Sequence, residues 1–161
     1  MTTGFATTDL SDANPDAQVA DPLLRSFGGA SSFHGPIETL SVFEDNSVLR
    51  RTIETPGNGR VLVVDGGGSR RCALVGDRVA ADALANGWVG IVVHGCVRDT
   101  AELADLPIGI LALDAHPRRS SKRDIGEVGV PVSFAGIDFR PNMWVYVDED
   151  GLIAANSALN P

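Results

Sequence analysis

The middle of the chain alternates short apolar runs with segments of helical periodicity, and this alternation most restricts its fold. The apolar runs are residues 60–65, 88–93 and 108–113. Runs this short, bounded by turn residues, are typical of central strands that are buried on both faces. Residues 76–86 have one apolar helical face and end at Asn86-Gly87, a common helix terminus. The pattern predicts an α/β fold with parallel central strands.

The two ends of the chain add short helices and further strands. Residues 7–12 and 45–51 are predicted to form short helices, and residues 28–35 a glycine-rich loop. The remaining predicted strands are residues 37–43, 131–134, 137–139, 144–147 and 152–155. We therefore predict one domain over residues 1–161, with central strands, flanking helices and a C-terminal β-rich layer. Residues 1–6 and 156–161 are expected to be flexible.

Composition excludes several functional classes. The chain has 161 residues, 43% of them hydrophobic and 21% charged, as in globular proteins. Its net charge of −8 argues against direct nucleic-acid binding, which usually needs a basic face. The one dense basic run contains Arg118, Arg119, Lys122 and Arg123. We interpret this run as a solvated loop or as a contact for an acidic partner.

Neither a membrane segment nor a disulfide framework is predicted. No apolar run approaches the roughly 20 residues of a membrane span. The N-terminus lacks a basic segment followed by a long apolar one, so a cytoplasmic protein is expected. Cys72 and Cys96 are then expected to be reduced thiols. His94, Cys96 and Asp99 could form a soft-metal cluster, but they lack the paired spacing of structural zinc sites, and buried strand residues are the preferred interpretation.

Two aspartates mark the candidate site. Asp77 and Asp99 each lie where a strand gives way to a helix, and Arg98 directly precedes Asp99. Taken singly, each aspartate suits a helix N-cap, Asp99 with capping-box spacing to Glu102, and the arginine suits a surface salt bridge. Taken together they suggest a ligand site, because consecutive parallel strands place their carboxyl ends side by side.

The same residues suit an anionic, oxygen-rich ligand. A helix N-terminus presents free N–H groups and the positive end of the helix dipole, which favours a carboxylate. The substrate-binding residues are predicted to be Gly76, Asp77, Arg78, Val79 and Arg98. Asp99 is predicted to bind Mg²⁺ or Mn²⁺, which prefer carboxylate oxygens. Arg98 and Asp77 are the predicted catalytic residues.

Two other features were weighed against this site. Gly66-Gly67-Gly68 after an apolar run loosely resembles the glycine loop of S-adenosylmethionine methyltransferases, but it matches neither a dinucleotide fingerprint nor a P-loop. A tight turn is preferred, and methyl transfer is disfavoured. Lys122 is the only lysine and is expected to be solvated, which disfavours a Schiff-base mechanism. Carbonyl chemistry here would therefore need a metal as electron sink.

A family resemblance covers nearly the whole chain, from Thr7 to Ala155. Its motifs are Ser26-Phe27-Gly28-Gly29, Phe43-Glu44-Asp45-Asn46, Val61 to Gly68, Val75-Gly76-Asp77, Asn86-Gly87-Trp88, Gly95-x-Val97-Arg98-Asp99, Gly126-Glu127-Val128 and Asp148-x-Asp150-Gly151. In these motifs the sequence resembles the regulator of ribonuclease activity A family, which is related to the class II 4-hydroxy-4-methyl-2-oxoglutarate aldolases. The pairing of Asp77 with Arg98-Asp99 across twenty residues is specific within this group and weak outside it.

The resemblance implies a swivelling β/β/α fold and a ring-shaped homotrimer with a site between subunits. It implies two functions. One is metal-dependent cleavage of 4-hydroxy-4-methyl-2-oxoglutarate to two pyruvates, with oxaloacetate decarboxylation as a side activity. The other is inhibition of an endoribonuclease by protein contact, without RNA contact.

The resemblance also assigns roles to residues and raises one difference. By motif, residues 76–79 correspond to the substrate-gripping loop, Arg98 to the substrate-binding arginine and Asp99 to the metal ligand. Longer aldolases of this group supply a C-terminal glutamate to a neighbour's site, and this sequence shows no evident counterpart. This difference bears on efficient aldol cleavage more than on decarboxylation. For the trimer, Phe27, Phe33 and Phe134 are candidate interface residues, but core burial is the preferred interpretation for each.

Overall fold

A mixed sheet of nine strands contains the apolar runs of the sequence at its centre. The structure, a computed structural model, describes residues 4–160; strands and helices are numbered in chain order. In spatial order the sheet contains β1 (Gln18–Val19), β14 (Gly151–Ala155), β13 (Trp144–Asp148), β3 (Phe33–Ser41), β4 (Val61–Asp65), β6 (Gly90–His94), β8 (Gly109–Ala112) and β2 (Arg25–Ser26), and β10 (Glu127–Val128) pairs with β3. Strands β3, β4, β6 and β8 are parallel, and the outer strands pair antiparallel.

Two smaller sheets and four helices complete the fold. The first small sheet is parallel and consists of β5 (Ala73–Val75), β7 (Cys96–Val97) and β9 (Asp114–Ala115). The second is a hairpin of β11 (Val132–Phe134) and β12 (Ile137–Phe139). The helices are α1 (Thr7–Ala13), α2 (Ser47–Ile53), α3 (Asp77–Ala85) and α4 (Thr100–Leu103).

Apolar side chains cover both faces of the central strands. On β4, Leu62 and Val64 join a cluster that includes side chains of the last three helices. Val61 and Val63 alternate to the other face, where they join the β11–β12 hairpin and the β13–β14 pair. Because successive side chains point to opposite faces, a strand between two apolar layers reads as one continuous apolar run. The predicted α/β class, with flanking helices and a C-terminal β-rich layer, is confirmed.

The structure corrects several local predictions. β3 begins at Phe33, inside the predicted loop 28–35, and the short sheet of β5, β7 and β9 was not predicted. The preferred core burial is confirmed for Phe33 and Phe134, each 6% exposed, while Phe27 packs partly buried against the other cluster.

The chain ends were predicted to be flexible over residues 1–6 and 156–161, of which 1–3 and 161 lie outside the described residues. Near the C-terminus, the Leu159 amide donates to the Tyr146 hydroxyl at 2.8 Å. Within residues 4–160, no helix has both the length and the apolar character to cross a membrane.

Candidate active site

The two segments that carry the predicted site residues lie side by side. β5 and β7 are parallel neighbours, with Ala73 opposite Cys96 and Val75 opposite Val97. The Arg98 amide extends this pairing by donating to the Val75 carbonyl at 2.9 Å. Gly76 and Arg98 therefore leave adjacent strand ends, the arrangement expected from the sequence, although it occurs in the short sheet and not in the central one.

The Asp99 carboxylate faces the start of α3. Its Oδ2 accepts a hydrogen bond from the Asp77 amide at 3.1 Å. It makes no capping bond to α4, so the predicted capping box is wrong. Asp77 is the first residue of α3 and not its N-cap, and its Oδ1 accepts from the Arg78 amide at 2.8 Å. The two carboxylates thus meet at one helix N-terminus, where free N–H groups favour negative charge.

Asp99 holds this position with a left-handed backbone, at φ 58° and ψ 43°. Aspartate and asparagine tolerate this conformation better than other residues with a side chain, because their polar groups can bond locally. Position 99 therefore needs a residue that tolerates the left-handed backbone and also carries a carboxylate, and aspartate meets both needs.

Gly76 leaves the space that the Asp99 carboxylate occupies. A Cβ atom at position 76 would lie 2.6 Å from Asp99 Oδ2 and 3.4 Å from Arg98 Cγ. The backbone at Gly76 is extended, at φ −124°, and would accept any residue. Glycine is needed here for close approach and not for conformational freedom.

A small cavity of about 70 Å³ opens at this point, and every predicted site residue lines it. Its walls are formed by Asn46, Arg50, Ala73, Leu74, Gly76, Asp77, Arg78, Val79, Arg98, Asp99, Arg119, Ser120 and Lys122. The Val79 side chain is only 2% exposed and packs in the apolar core. The predicted contribution of Val79 to ligand binding therefore falls to its backbone.

Five polar residues of the cavity were not predicted to belong to the site. They are Asn46, Arg50, Arg119, Ser120 and Lys122. Arg119 and Lys122 belong to the basic run that was interpreted as a solvated loop or a partner contact; both are exposed, and both also line the cavity. Backbone bonds hold this loop against the site: the Ala73 amide donates to the Arg118 carbonyl at 2.7 Å, and the Ser121 amide to the Glu44 carbonyl at 2.8 Å.

Lys122 is anchored at its ammonium group. The residue as a whole is exposed, as predicted, but its Nζ donates to Oδ1 of the buried Asn46. Asn46 is itself fixed, because its Nδ2 donates to the Leu74 carbonyl at 2.9 Å. Partial burial of the ammonium, together with the charges of Arg50, Arg98 and Arg119, lowers the pKa of Lys122 below its ordinary value, against the opposing effect of Asp45.

The cavity concentrates positive charge in an acidic protein. Five cationic side chains line it: Arg50, Arg78, Arg98, Arg119 and Lys122. Among residues 4–160, none of the five lies within 4 Å of a carboxylate, whereas other arginines of the chain do pair. The carboxylates of Asp77 and Asp99 accept bonds from backbone amides. The site is thus arranged for an anion that carries several oxygen atoms.

A hard divalent cation suits the carboxylates, whereas zinc does not. In the described part of the chain, no three His, Cys, Asp or Glu residues cluster as a metal site. His94 stacks on Phe134 with ring centroids 5.0 Å apart, and Cys96 is buried, so the soft-metal alternative fails. Mg²⁺ commonly keeps several waters and takes only one or two carboxylates plus substrate oxygens. Asp99, with Asp77 beside it, fits that requirement.

Side chains occupy the space beside the three glycines of the turn at residues 66–68. A Cβ at Gly66 would lie 2.7 Å from Leu74 Cδ1, and one at Gly67 would lie 2.6 Å from Phe43 Cδ1. At Gly68 the nearest atom would be His94 Cε1, at 3.1 Å. These close approaches fit the predicted tight turn, but the three glycines are absent from the lining of the candidate cavity, which the turn was also considered to line.

Comparison with known proteins identifies the group to which this arrangement belongs. A model of the RraA-like family, described as Aldolase/RraA, matches residues 7–154. The chain belongs to this family. A relative from Deinococcus radiodurans, provisionally named 4-hydroxy-4-methyl-2-oxoglutarate aldolase, is 58% identical over 151 residues, which cover 94% of both chains.

Two solved structures of similar proteins carry different functional names. The RNA-processing inhibitor RraA from Thermus thermophilis has a TM-score of 0.95 and 46% identity, over 98% of this chain and 96% of its own. A protein from Geobacillus kaustophilus named S-adenosylmethionine:2-dimethylmenaquinone methyltransferase has a TM-score of 0.94 and 45% identity, over 96% and 97%. This RraA-like chain therefore has relatives named as a lyase, as an inhibitor and as a methyltransferase.

Proposed function

We propose that the protein is a divalent-metal-dependent carbon–carbon lyase. It cleaves 4-hydroxy-4-methyl-2-oxoglutarate to two pyruvates and decarboxylates oxaloacetate as a side activity. The observation that carries this proposal is the convergence of Arg98, Asp99 and the N-terminus of α3 on one cation-lined cavity. The provisional names of relatives such as the D. radiodurans protein support the same activity.

The reaction needs charge stabilisation more than it needs a strong nucleophile. In aldol cleavage the C4 hydroxyl loses its proton, the C3–C4 bond breaks, and its electron pair moves toward the C2 carbonyl. One pyruvate leaves, and the other forms as an enolate that is then protonated at C3. A divalent cation held by Asp99 would supply Lewis acidity at the keto-acid end of the substrate.

The chain's own groups provide the rest. The guanidinium of Arg98 stabilises negative charge as it develops on the enolate oxygen. The amide of Val79, in the first turn of α3, binds the adjoining carboxylate, since the Asp77 and Arg78 amides already donate to the two aspartates. Asp77 orients a water that carries the proton. Decarboxylation of oxaloacetate breaks a different bond but generates the same pyruvate enolate, so one set of groups serves both reactions.

The test is pyruvate release from both substrates, with and without Mg²⁺, by wild-type and Asp99→Asn protein. Asparagine is the better replacement than alanine, because it tolerates the left-handed backbone of position 99. We expect activity to be lost in chelator-treated wild type and to fall by about 100-fold or more in the variant. Metal-independent turnover, or full turnover by the variant, would show the assignment to be wrong.

Lys122 provides an internal control for the mechanism, because its lowered pKa and its place in the cavity could also suit a Schiff base. Borohydride treatment during turnover should leave the chain mass unchanged if a metal stabilises the enolate. A covalent adduct at Lys122 would instead assign catalysis to the amine.

A second candidate function is inhibition of an endoribonuclease by protein contact, which the name of the T. thermophilis relative favours. The Asp99→Asn variant distinguishes the two, because a surface that binds a nuclease does not depend on a cavity carboxylate. Inhibition that persists in the inactive variant would place a regulatory function on another surface. Methyl transfer gains no support from the glycine turn, since side chains fill the space beside it.

A further inference from the structure

The cavity contains more positive charge than the keto-acid end of a substrate can use. In the proposed function, Asp99 with its cation, Arg98 and the α3 amide all act on the carboxylate and keto group at one end of the molecule. Arg50, Arg78, Arg119 and Lys122 remain, and of these Arg78 belongs to the first turn of α3. The other three come from α2 and from the loop that precedes β10, and not from the elements that carry Arg98 and Asp99.

These three residues differ in their freedom to bind. The Lys122 ammonium is already engaged with Asn46 Oδ1. Within residues 4–160, the guanidinium groups of Arg50 and Arg119 donate no hydrogen bond and have no carboxylate within 4 Å. Both act electrostatically on Lys122. Like charges held together without counterions are unfavourable, and a bound anion relieves the repulsion. The planar fork of arginine suits a carboxylate in particular.

We propose that Arg50 and Arg119 bind the second carboxylate of the substrate, so that the site selects 2-oxo dicarboxylates over monocarboxylates the size of pyruvate. This inference rests on the proposed function, because it presupposes that the keto-acid end is held at Arg98 and Asp99. It makes the two arginines determinants of specificity, and leaves the chemical step to the groups around α3.

The experiment compares two ligands that differ in the second carboxylate. Pyruvate has only the keto-acid end. 2-Oxoglutarate adds a second carboxylate but lacks the C4 hydroxyl, so it cannot undergo aldol cleavage. Binding of each in the presence of Mg²⁺ is measured by calorimetry for wild type, Arg50→Gln and Arg119→Gln.

The chain supplies a matched control beside each arginine. Arg51 follows Arg50 in α2 but pairs with Asp124, and Arg118 precedes Arg119; neither lines the cavity. We expect Arg50→Gln and Arg119→Gln to weaken 2-oxoglutarate binding by about 10-fold or more and pyruvate binding by about twofold or less. Arg51→Gln and Arg118→Gln should match wild type for both ligands. Arg119→Lys should recover only part of the loss, since it restores charge without the fork.

The outcomes separate this inference from the function on which it rests. If wild type binds both ligands and the two variants bind them as wild type does, the second-carboxylate assignment is wrong and the lyase proposal stands. If the two variants bind pyruvate and 2-oxoglutarate equally more weakly than wild type does, the second-carboxylate assignment is also wrong. That result would place the arginines at the keto-acid end or give them a general structural role. If wild type binds neither ligand, the proposed function and this inference fall together.

Discussion

Gly76 has no Cβ atom, and the Asp99 carboxylate needs the space that a Cβ would fill. The Asp99 carboxylate lies where a Cβ at position 76 would be, at 2.6 Å. The obstructing atom belongs to a side chain and the Gly76 backbone is extended, so the fold can accommodate a methyl group while the carboxylate moves aside.

We therefore expect Gly76→Ala to lower Mg²⁺-dependent decarboxylation by about 10-fold or more, while reducing the free energy of unfolding by only about 1 kcal/mol. Activity over a Mg²⁺ titration and denaturant unfolding are the two measurements. Gly4→Ala is the matched control, because a Cβ at Gly4 meets nothing within 4 Å. An unaltered Mg²⁺ response would mean that the position of Asp99 is irrelevant to the cation.

Among the individual residues, local sequence predicts the part of the site at the ends of β5 and β7 but not the part that comes from α2 and the loop before β10. Asp77, Arg98 and Asp99 follow strand ends directly, so their spacing indicates that they converge. Arg50, Arg119 and Lys122 reach the same cavity through long-range contacts, such as the Ala73 amide on the Arg118 carbonyl. The presence of a single lysine could have pointed to Lys122 as a site residue. Its hydrogen bond to Asn46, 76 residues away, could not be predicted from the neighbouring sequence.

Among the elements, the loop that carries Arg119 and Lys122 is fixed to α2 by Asp45. This carboxylate is 2% exposed; it accepts from the Ser47 amide at 2.9 Å and from the Arg123 amide. Burial alone would raise the pKa of Asp45, but these hydrogen bonds and the nearby Lys122 outweigh it and hold the pKa below its ordinary value.

Asp45→Ala should therefore lower the free energy of unfolding by about 2 kcal/mol at pH 7, since it leaves two partly buried amides without their acceptor. The carboxylate's contribution is fully present above its unfolded pKa of about 3.9 and is lost as pH falls through the lower folded value. The difference between wild type and variant should shrink over that acidic range in denaturant titrations. Asp16→Ala, at an exposed position, should show no such trend, and a constant difference for Asp45→Ala would contradict the ionic role.

Strands were predictable from the sequence where burial on both faces makes them continuously apolar. β4, β6 and β8 lie between two apolar layers and appear as the continuous runs of the sequence. β5, β7 and β9 have two or three residues each, too few to show a period. The strand ends that organise the site therefore became visible only through the polar residues that follow them.

For the whole molecule, charge and apolar surface are unevenly distributed. The chain carries −8 overall, yet its candidate cavity is lined by five cationic and two acidic side chains. Several large apolar side chains remain exposed, among them Phe43 (55%), Ile125 (59%) and Val128 (48%). The homotrimer implied by the family resemblance, with a site between subunits, stays a prediction, and exposed apolar surface of this kind is compatible with it.

Light scattering coupled to size exclusion should give a mass three times that of the 16.9 kDa chain. If subunits share the site, turnover per chain should fall on dilution in step with dissociation, because a separated chain retains Arg98 and Asp99 but loses its neighbour's contribution. Added 2-oxoglutarate should then oppose dissociation, since a ligand that spans the interface binds the assembled form more tightly. A monomer that keeps full turnover per chain at every concentration would confine the active site to the residues of one chain.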